Sequence, residues 1–380
     1  MDFKYTEEQQ MVRETIREFA LAELAPGVAE RDEKEIYPTK AMKKLGELGF
    51  MGVTLPEELG GAGLDMISYC IAVEELARVD ASTAIIISVT NSLAVYPIEL
   101  FSNDNQKERF LRPLGEGKML GAFALTEPEA GSDAGGMKTT AVKDGDDYIL
   151  NGAKAFITSG INCDIVLVFV VTDKEKGMKG TSAIIVEKGT PGFEAGKREN
   201  KMGIRGSDTA PISFEDCRVP AANMLGAEGM GFKIAMTALN SGRIGVASQA
   251  LGIAQASLDE SVKYSKERVQ FSRPIAKFQA IQFKIAKMAT EIEAARMLLY
   301  SAAARKDRHE NYIKEAAMAK LFCSEVAVRS ALEAVQIHGG YGYIKEYPVE
   351  RFMRDSKITT IYEGTNEIMN IVIADQVIGR

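Results

Sequence analysis

Phe278, Ile281, Ile285, Met288, Ile292, Ala295, Leu299 and Ala302 alternate by three and four residues along the last third of the chain. That spacing keeps one face of a long helix apolar and requires neighbouring helices to cover it. Ile244, Ala247, Leu251, Ala254 and Leu258 set a similar seam in the preceding segment, and Leu321, Val328 and Val335 in the following one. With one more helix after Thr365, the expected packing is an antiparallel four-helix bundle. The methionines within it read as core filler.

Between Leu120 and Arg218 the texture changes. β-Branched runs such as Ile165-Val166-Leu167-Val168-Phe169-Val170-Val171 and Thr181-Ser182-Ala183-Ile184-Ile185-Val186 alternate with turn signals, which reads as strands. Asn151-Gly152, between Tyr148-Ile149-Leu150 and Ala153-Lys154-Ala155-Phe156-Ile157-Thr158, is the strongest hairpin signal. No helical pattern intervenes, so a small antiparallel barrel or sandwich is expected rather than a parallel dinucleotide-binding sheet. The first 120 or so residues read as helices broken by glycine-rich loops such as Gly60-Gly61-Ala62-Gly63. The expected fold is mostly α with a central β domain: an N-terminal helical domain over 1–119, a β domain over 120–230 and a helical bundle over 231–380.

A chain of 380 residues, 46% of them hydrophobic, can bury a large core. Its net charge of −7, with no basic stripe, argues against nucleic acid or an anionic membrane surface as partner. Cys70, Cys163, Cys217 and Cys323 form no C-x-x-C, and only His309 and His338 accompany them, so no metal site is expected. Thr6-Glu7-Glu8-Gln9 has capping-box spacing before Val12, Ile16 and Phe19, which places a helix near Met1 with no targeting segment ahead of it. No apolar run reaches bilayer length, and the expected compartment is the cytoplasm.

Three stretches carry chemistry. In Ile361-Tyr362-Glu363-Gly364-Thr365-Asn366, apolar neighbours would desolvate Glu363 once a greasy ligand arrived, making it a stronger base. Gly364 would let a ligand approach the backbone, although a Glu ahead of a helix is also an ordinary feature. Ala124-Leu125-Thr126-Glu127-Pro128-Glu129-Ala130-Gly131-Ser132-Asp133-Ala134-Gly135-Gly136 supplies hydroxyls and backbone N–H groups for a flat or phosphorylated ligand, and equally fits a surface turn. The third stretch is Gln336-Ile337-His338-Gly339-Gly340-Tyr341-Gly342-Tyr343, in which Gly339-Gly340 could simply be a helix C-cap. Gly192-Phe193-Glu194-Ala195-Gly196-Lys197 is one residue short of a phosphate loop, and no G-x-S-x-G exists.

In this order and spacing, the three stretches resemble the signature segments of the acyl-CoA dehydrogenases, and the resemblance spans the whole chain. It implies FAD. Phe123, Ala124, Leu125, Thr126 and Ser132, with Phe156, Ile157 and Thr158, would line the flavin and its chain, with Thr158 near N5. In a homotetramer like the family's, Arg268, Phe271, Gln279 and Gln336, Ile337, His338, Gly339 and Gly340 would come from a neighbouring subunit to hold pyrophosphate and adenosine. Thr365, Asn366 and Glu367 would complete the cofactor site, Glu367 standing where relatives often have an amide.

Glu363 would remove the α-proton of an acyl-CoA thioester while the β-hydrogen leaves as hydride to flavin N5. Ser132, Asn240, Ser241, Gly242, Arg243 and Gly364 would meet the CoA moiety or the thioester. Some relatives carry the base where Gly242 stands, and Asn240 replaces an Asp common among short-chain members. The resemblance is strongest to short-chain, butyryl-CoA-like dehydrogenases that pass electrons to an electron-transferring flavoprotein. Asn91, beside Val89, Leu93 and Ala94, leaves room for a branched or cyclic acyl group, because a buried amide must find partners or mark a wider cavity. An acyl-CoA oxidase, usually a longer chain, and a non-catalytic CoA- or flavin-binding partner are the remaining alternatives.

Overall fold

Thr6 caps the first helix as its spacing predicts: its Oγ1 accepts from Gln9 N at 3.1 Å while Gln9 Oε1 accepts from Thr6 N at 3.1 Å. The computed structural model describes residues 4–379; residues 1–3 and 380, the outer ends of the expected first and third domains, lie outside the described residues. The helices are α1 (Glu7–Phe19), α2 (Val28–Lys34), α3 (Thr39–Glu47), α4 (Met66–Ala77), α5 (Ala81–Val89), α6 (Tyr96–Phe101), α7 (Asp104–Gln106), α8 (Arg112–Gly115), α9 (Gly231–Glu267), α10 (Gln279–Asp307), α11 (Ile313–His338), α12 (Val349–Ile358) and α13 (Asn366–Ile378).

The two helical ends of the chain share one core. Val12, Ile16 and Leu45 are buried in the same cluster as Leu251, Ile292 and Leu299, with α4 packed against both α9 and α10. The α10 seam is buried from Met288 to Ala302, and Ile244, Ala247, Leu251 and Ala254 of α9 are buried too. The expected α11 seam is displaced: Leu321, Val328 and Val335 are only partly buried. Its inner face is Ala316, Ala319, Cys323, Ala327, Ala331 and Ala334, small residues that let α11 lie close to α9. Helix α13 packs on α11 through Met369, its one buried residue.

Between the helical ends stands an eight-stranded sheet of order β6-β7-β3-β2-β4-β5-β8, with β1 on β4. The strands are β1 (Gly121–Ala124), β2 (Thr140–Asp144), β3 (Asp147–Thr158), β4 (Ile165–Val171), β5 (Thr181–Glu187), β6 (Phe193–Ala195), β7 (Thr209–Pro220) and β8 (Met224–Leu225). The expectation of purely antiparallel pairing is corrected: β1 and β2 both run parallel to β4, so the sheet is mixed.

The hairpin expected at Asn151-Gly152 lies instead at Gly145-Asp146, between the paired ends Asp144 and Asp147. Strand β3 runs straight through Asn151-Gly152 with a bulge against β7. There Asn151 Oδ1 accepts from Asp216 N at 2.9 Å, and Gly152 takes φ 146°. The Asn-Gly pair fills a bulge because its amide bonds across the strands and its glycine meets Thr139 where a side chain would collide.

A second correction concerns Ala81–Phe101. These 21 residues are helical throughout, and the segment is long and apolar enough to cross a membrane, yet 78% of its most apolar stretch is buried inside the protein. Its hydroxyls break the apolar run in sequence but not in the helix. Thr90 Oγ1 donates to Ile86 O at 2.9 Å and Ser92 Oγ to Ser88 O at 2.6 Å.

A Cβ on Gly152 would lie 2.6 Å from Thr139 Oγ1 and 2.7 Å from Thr139 Cα. Gly152→Ala is therefore expected to cost about 2–4 kcal/mol of stability, whereas Gly145→Ala, with open space around it, costs about 1 kcal/mol. Chemical denaturation of the two variants checks the ranking, and equal losses would contradict the bulge.

Candidate active site

Helix α9 presents glycine to its neighbours at 242, 245 and 252. A Cβ at Gly245 would stand 2.4 Å from Tyr69 Oη and 2.1 Å from Ser88 Oγ, so α4 and α5 rest on bare helix backbone. At Gly242 the occupant of that space is Glu363: a Cβ there would lie 1.8 Å from Glu363 Oε2 and 2.9 Å from Leu93 Cδ2.

The turn after α12 delivers Glu363 to this place. Ile361 N bonds Ile358 O at 2.8 Å, Asn366 N bonds Thr360 O at 3.0 Å, and Thr365 Oγ1 caps α13 by accepting from Ile368 N. Closing so short a loop sets Glu363 at φ 53° and Gly364 at φ 101°, left-handed conformations that cost a non-glycine residue energy.

Both carboxylate oxygens of Glu363 are buried without a hydrogen-bond partner. Burial therefore pushes its pKa up to about 8, with the positive charges of Lys320 and Arg243 pulling it back. Lys320 Nζ donates to Gly364 O at 2.7 Å and to Asn366 Oδ1 at 2.9 Å; burial lowers its own pKa and the charge of Glu363 raises it. Arg243 donates to Asn240 Oδ1 at 2.7 Å and keeps a buried, unpartnered Nε. Ser241 Oγ accepts from Lys306 Nζ at 2.5 Å, and that ammonium lies 3.8 Å from the centre of the Tyr96 ring.

A second group forms on β1, β3 and the loop between Ala124 and Gly136. Phe123 and Tyr362 both pack against the buried cluster that contains Leu93. Ala155 N bonds Thr126 O at 2.8 Å, and beneath them Lys154 Nζ reaches Glu127 Oε1 at 2.7 Å and Leu125 O at 3.2 Å. Glu127 also accepts from Lys138 N and Thr139 N, so a buried ion pair fixes both ends of the loop. Ala124, Leu125 and Ile157 are buried beside it, while Phe156 is 67% exposed at φ 58°. The hydroxyls of Thr126, Ser132 and Thr158 bond nothing among the described residues.

A third group lies elsewhere. Arg268, Ile337, His338, Gly339 and Gly340 line a cavity of about 430 Å³ with Tyr264, whose ring stacks on His338 at 4.1 Å. Gly339 caps α11, as its C-cap reading allowed. Phe271, Gln279 and Gln336 are exposed nearby in sequence. Helix α9 is continuous from Gly242 to its C-cap Arg268, which sets Arg268 roughly 39 Å along the helix from the Glu363 contact at 1.5 Å per residue. One chain does not bring the third group to the first.

Lys320, Lys306 and the Glu127–Lys154 pair carry no local sequence signal of the partners that hold them. The signal that could have found Lys320 is its register with Ala316, Ala317, Cys323, Ser324 and Ala327, the small buried face of α11. Asn366 is turned inward, its Oδ1 held by Lys320 and Ser324. Glu367 is exposed.

Family models described as the N-terminal, middle and C-terminal domains of acyl-CoA dehydrogenase match residues 6–118, 122–217 and 229–378. The chain belongs to the acyl-CoA dehydrogenase family. It is 54% identical to the short-chain specific acyl-CoA dehydrogenase of Megasphaera elsdenii over 98% of both chains. The solved butyryl-CoA dehydrogenase of the same organism superposes with a TM-score of 0.98 at 53% identity, covering 100% of each chain. A chain from a structure of the electron transferring flavoprotein of Acidaminococcus fermentans gives a TM-score of 0.99 at 55% identity, again over 100% of each.

The protein is thus an oxidoreductase that uses FAD, the cofactor of this family. Its residues fit the group: an exposed aromatic, three unengaged hydroxyls and an orphaned carboxylate stand on neighbouring elements of one chain.

The folded-state pKa of Glu363, about 8, lies above its ordinary value of 4.5. An unfolded chain ionises this carboxyl first, so the native state loses stability as pH rises from 4.5 towards 8. Without acyl-CoA, Glu363→Gln is expected to melt above the wild type at pH 8, with the gap closing towards pH 4.5. A gap independent of pH would contradict the raised pKa.

Proposed function

We propose that the chain oxidises a short-chain acyl-CoA thioester to the 2-enoyl-CoA, with Glu363 as the α-proton base. The observation that carries this reading is the Glu363 carboxylate, buried without a partner against Gly242. A carboxylate with no hydrogen bond to lose is a strong base, and the raised pKa matches its strength to work near neutral pH. Gly242 leaves the position used for the base by other members bare, so a second carboxylate does not compete there.

Glu363 N makes no hydrogen bond within the described chain and is free to donate to the developing enolate oxygen. Arg243, with its unpartnered Nε, faces the same space and would orient the thioester end with Gly364. The FAD these elements would hold would supply the acceptor for the β-hydrogen as hydride. Phe123, Ala124, Leu125, Thr126, Ser132, Phe156, Ile157 and Thr158 would hold its ring side, and the Glu127–Lys154 pair would keep that loop fixed. The distance along α9 supports assigning Arg268, Phe271, Gln279 and Gln336 to Gly340 to the cofactor of a second copy, as in a homotetramer. The structural similarity to a chain accompanying an electron transferring flavoprotein supports such a protein as electron acceptor.

The acyl group is inferred to be short and linear. Asn91 spends its amide on the backbone, accepting from Val53 N at 2.8 Å and donating to Phe50 O and Ile87 O at 3.0 Å each. It therefore presents no polar group to a ligand and marks no wider cavity. Val89 and Leu93 are buried in the cluster that includes Tyr362, which limits depth.

Rates with butyryl-, isobutyryl-, cyclohexanecarboxyl- and octanoyl-CoA and one artificial acceptor test the assignment. Butyryl-CoA is expected to lead in kcat/KM, with octanoyl-CoA about tenfold or more behind. A cyclic substrate about tenfold ahead of butyryl-CoA would refute the short linear chain and leave the acyl-CoA dehydrogenase chemistry standing.

A further inference from the structure

We propose that Lys320 is the positioning residue of the Glu363 base: by holding the turn on the far side of Glu363, it fixes where the carboxylate points and favours its ionised form. The inference rests on the reading of Glu363 as the base.

Lysines on helices normally extend their ammonium to water. Lys320 is fully buried, one of the largest side chains in the protein with no exposure at all. No carboxylate lies within ion-pair distance of it among the described residues. Its acceptors are Gly364 O and Asn366 Oδ1, the first belonging to the residue directly after Glu363. Ser324 Oγ, one helical turn along, donates to the same Asn366 oxygen at 3.1 Å. Helix α11 therefore grips the turn at two points, both on the side where the strained φ of Glu363 would otherwise relax.

Charge acts in the same direction. The groups facing Glu363 are Lys320 from α11, Arg243 from α9, Tyr69 from α4 and its own neighbour Tyr362; Glu367 faces Lys320 from α13. Tyr69 is occupied by Ser88 and Tyr362 by Gln249, so the groups left to steady the carboxylate are Lys320 and Arg243; burial disfavours the Lys320 ammonium, and the charge of ionised Glu363 holds it protonated in turn. Of these, Arg243 is partnered by Asn240 of its own helix, whereas Lys320 is bonded to the turn that carries the base.

The test is the pH dependence of anaerobic flavin reduction by butyryl-CoA in holoenzyme carrying Lys320→Met, which keeps bulk and removes charge and donors. The rising limb set by Glu363 is expected to move up by about one pH unit or more, with slower reduction on the plateau. The carboxyl infrared band of the substrate-free holoenzyme, identified by its loss in Glu363→Gln, should titrate with the same shift. A yellow, folded Lys320→Met whose limb and carboxyl band coincide with wild type overturns the proposal, even if it turns over slowly, because a merely structural lysine would act in that way. Should Lys320→Met fail to fold, Asn366→Asp sets a carboxylate on the same ammonium and is expected to move the limb upward; an unmoved limb in that variant likewise overturns it. Full flavin reduction by Glu363→Gln would refute Glu363 as base, while the infrared titration still decides whether Lys320 governs that carboxyl.

Discussion

A buried carboxylate that no hydrogen bond reaches is costly in any fold, and here the surrounding elements are arranged around one. Glu363 is buried with both oxygens unpartnered, in a left-handed conformation that only closure of the turn after α12 imposes. Uncompensated burial of a charge costs several kcal/mol in a protein interior, by order of magnitude, and the usual escape is protonation. That escape raises its pKa towards neutrality, so the feature that destabilises the fold is the one that suits a base.

Helix α9 gives the carboxylate its space. Glycines at 242, 245 and 252 let Glu363, Tyr69 with Ser88, and the end of α4 each reach the helix backbone. The same helix continues to Arg268 and the cavity beside His338, so one rigid element runs from the Glu363 contact at Gly242 to Arg268, roughly 39 Å along its axis. The central sheet contributes the other wall. There the Glu127–Lys154 pair ties loop to strand, and mixed pairing places β1 between the sheet and the Leu93–Tyr362 cluster.

Much of this was legible in the residues. Capping chemistry at Thr6, the α10 seam and the strand runs at Ile165 and Thr181 are local signals, each governed by a few adjacent side chains. The Ile361–Asn366 turn was legible as a motif, while the packing of Glu363 against Gly242 was not. What escaped depends on tertiary context. Lys320, Lys306 and Lys154 draw no functional reading from the sequence because nothing local shows that acceptors from distant segments surround them. The Asn151-Gly152 pair reads as a hairpin because a bulge requires the same dihedral freedom, and Asp216, far away in the chain, decides between them. The α11 seam was misplaced because alanine and serine, which carry its closest packing, weigh little in an apolar pattern.

The account turns on Glu363 as the base, and anaerobic single-turnover reduction of the flavin by butyryl-CoA in Glu363→Gln tests this most directly. The amide keeps the shape of the site and removes its basic oxygen, so FAD and acyl-CoA should still bind while flavin reduction slows by about 10²–10⁴-fold or more. Reduction at a rate near that of the wild type would contradict the account and move the base to another residue.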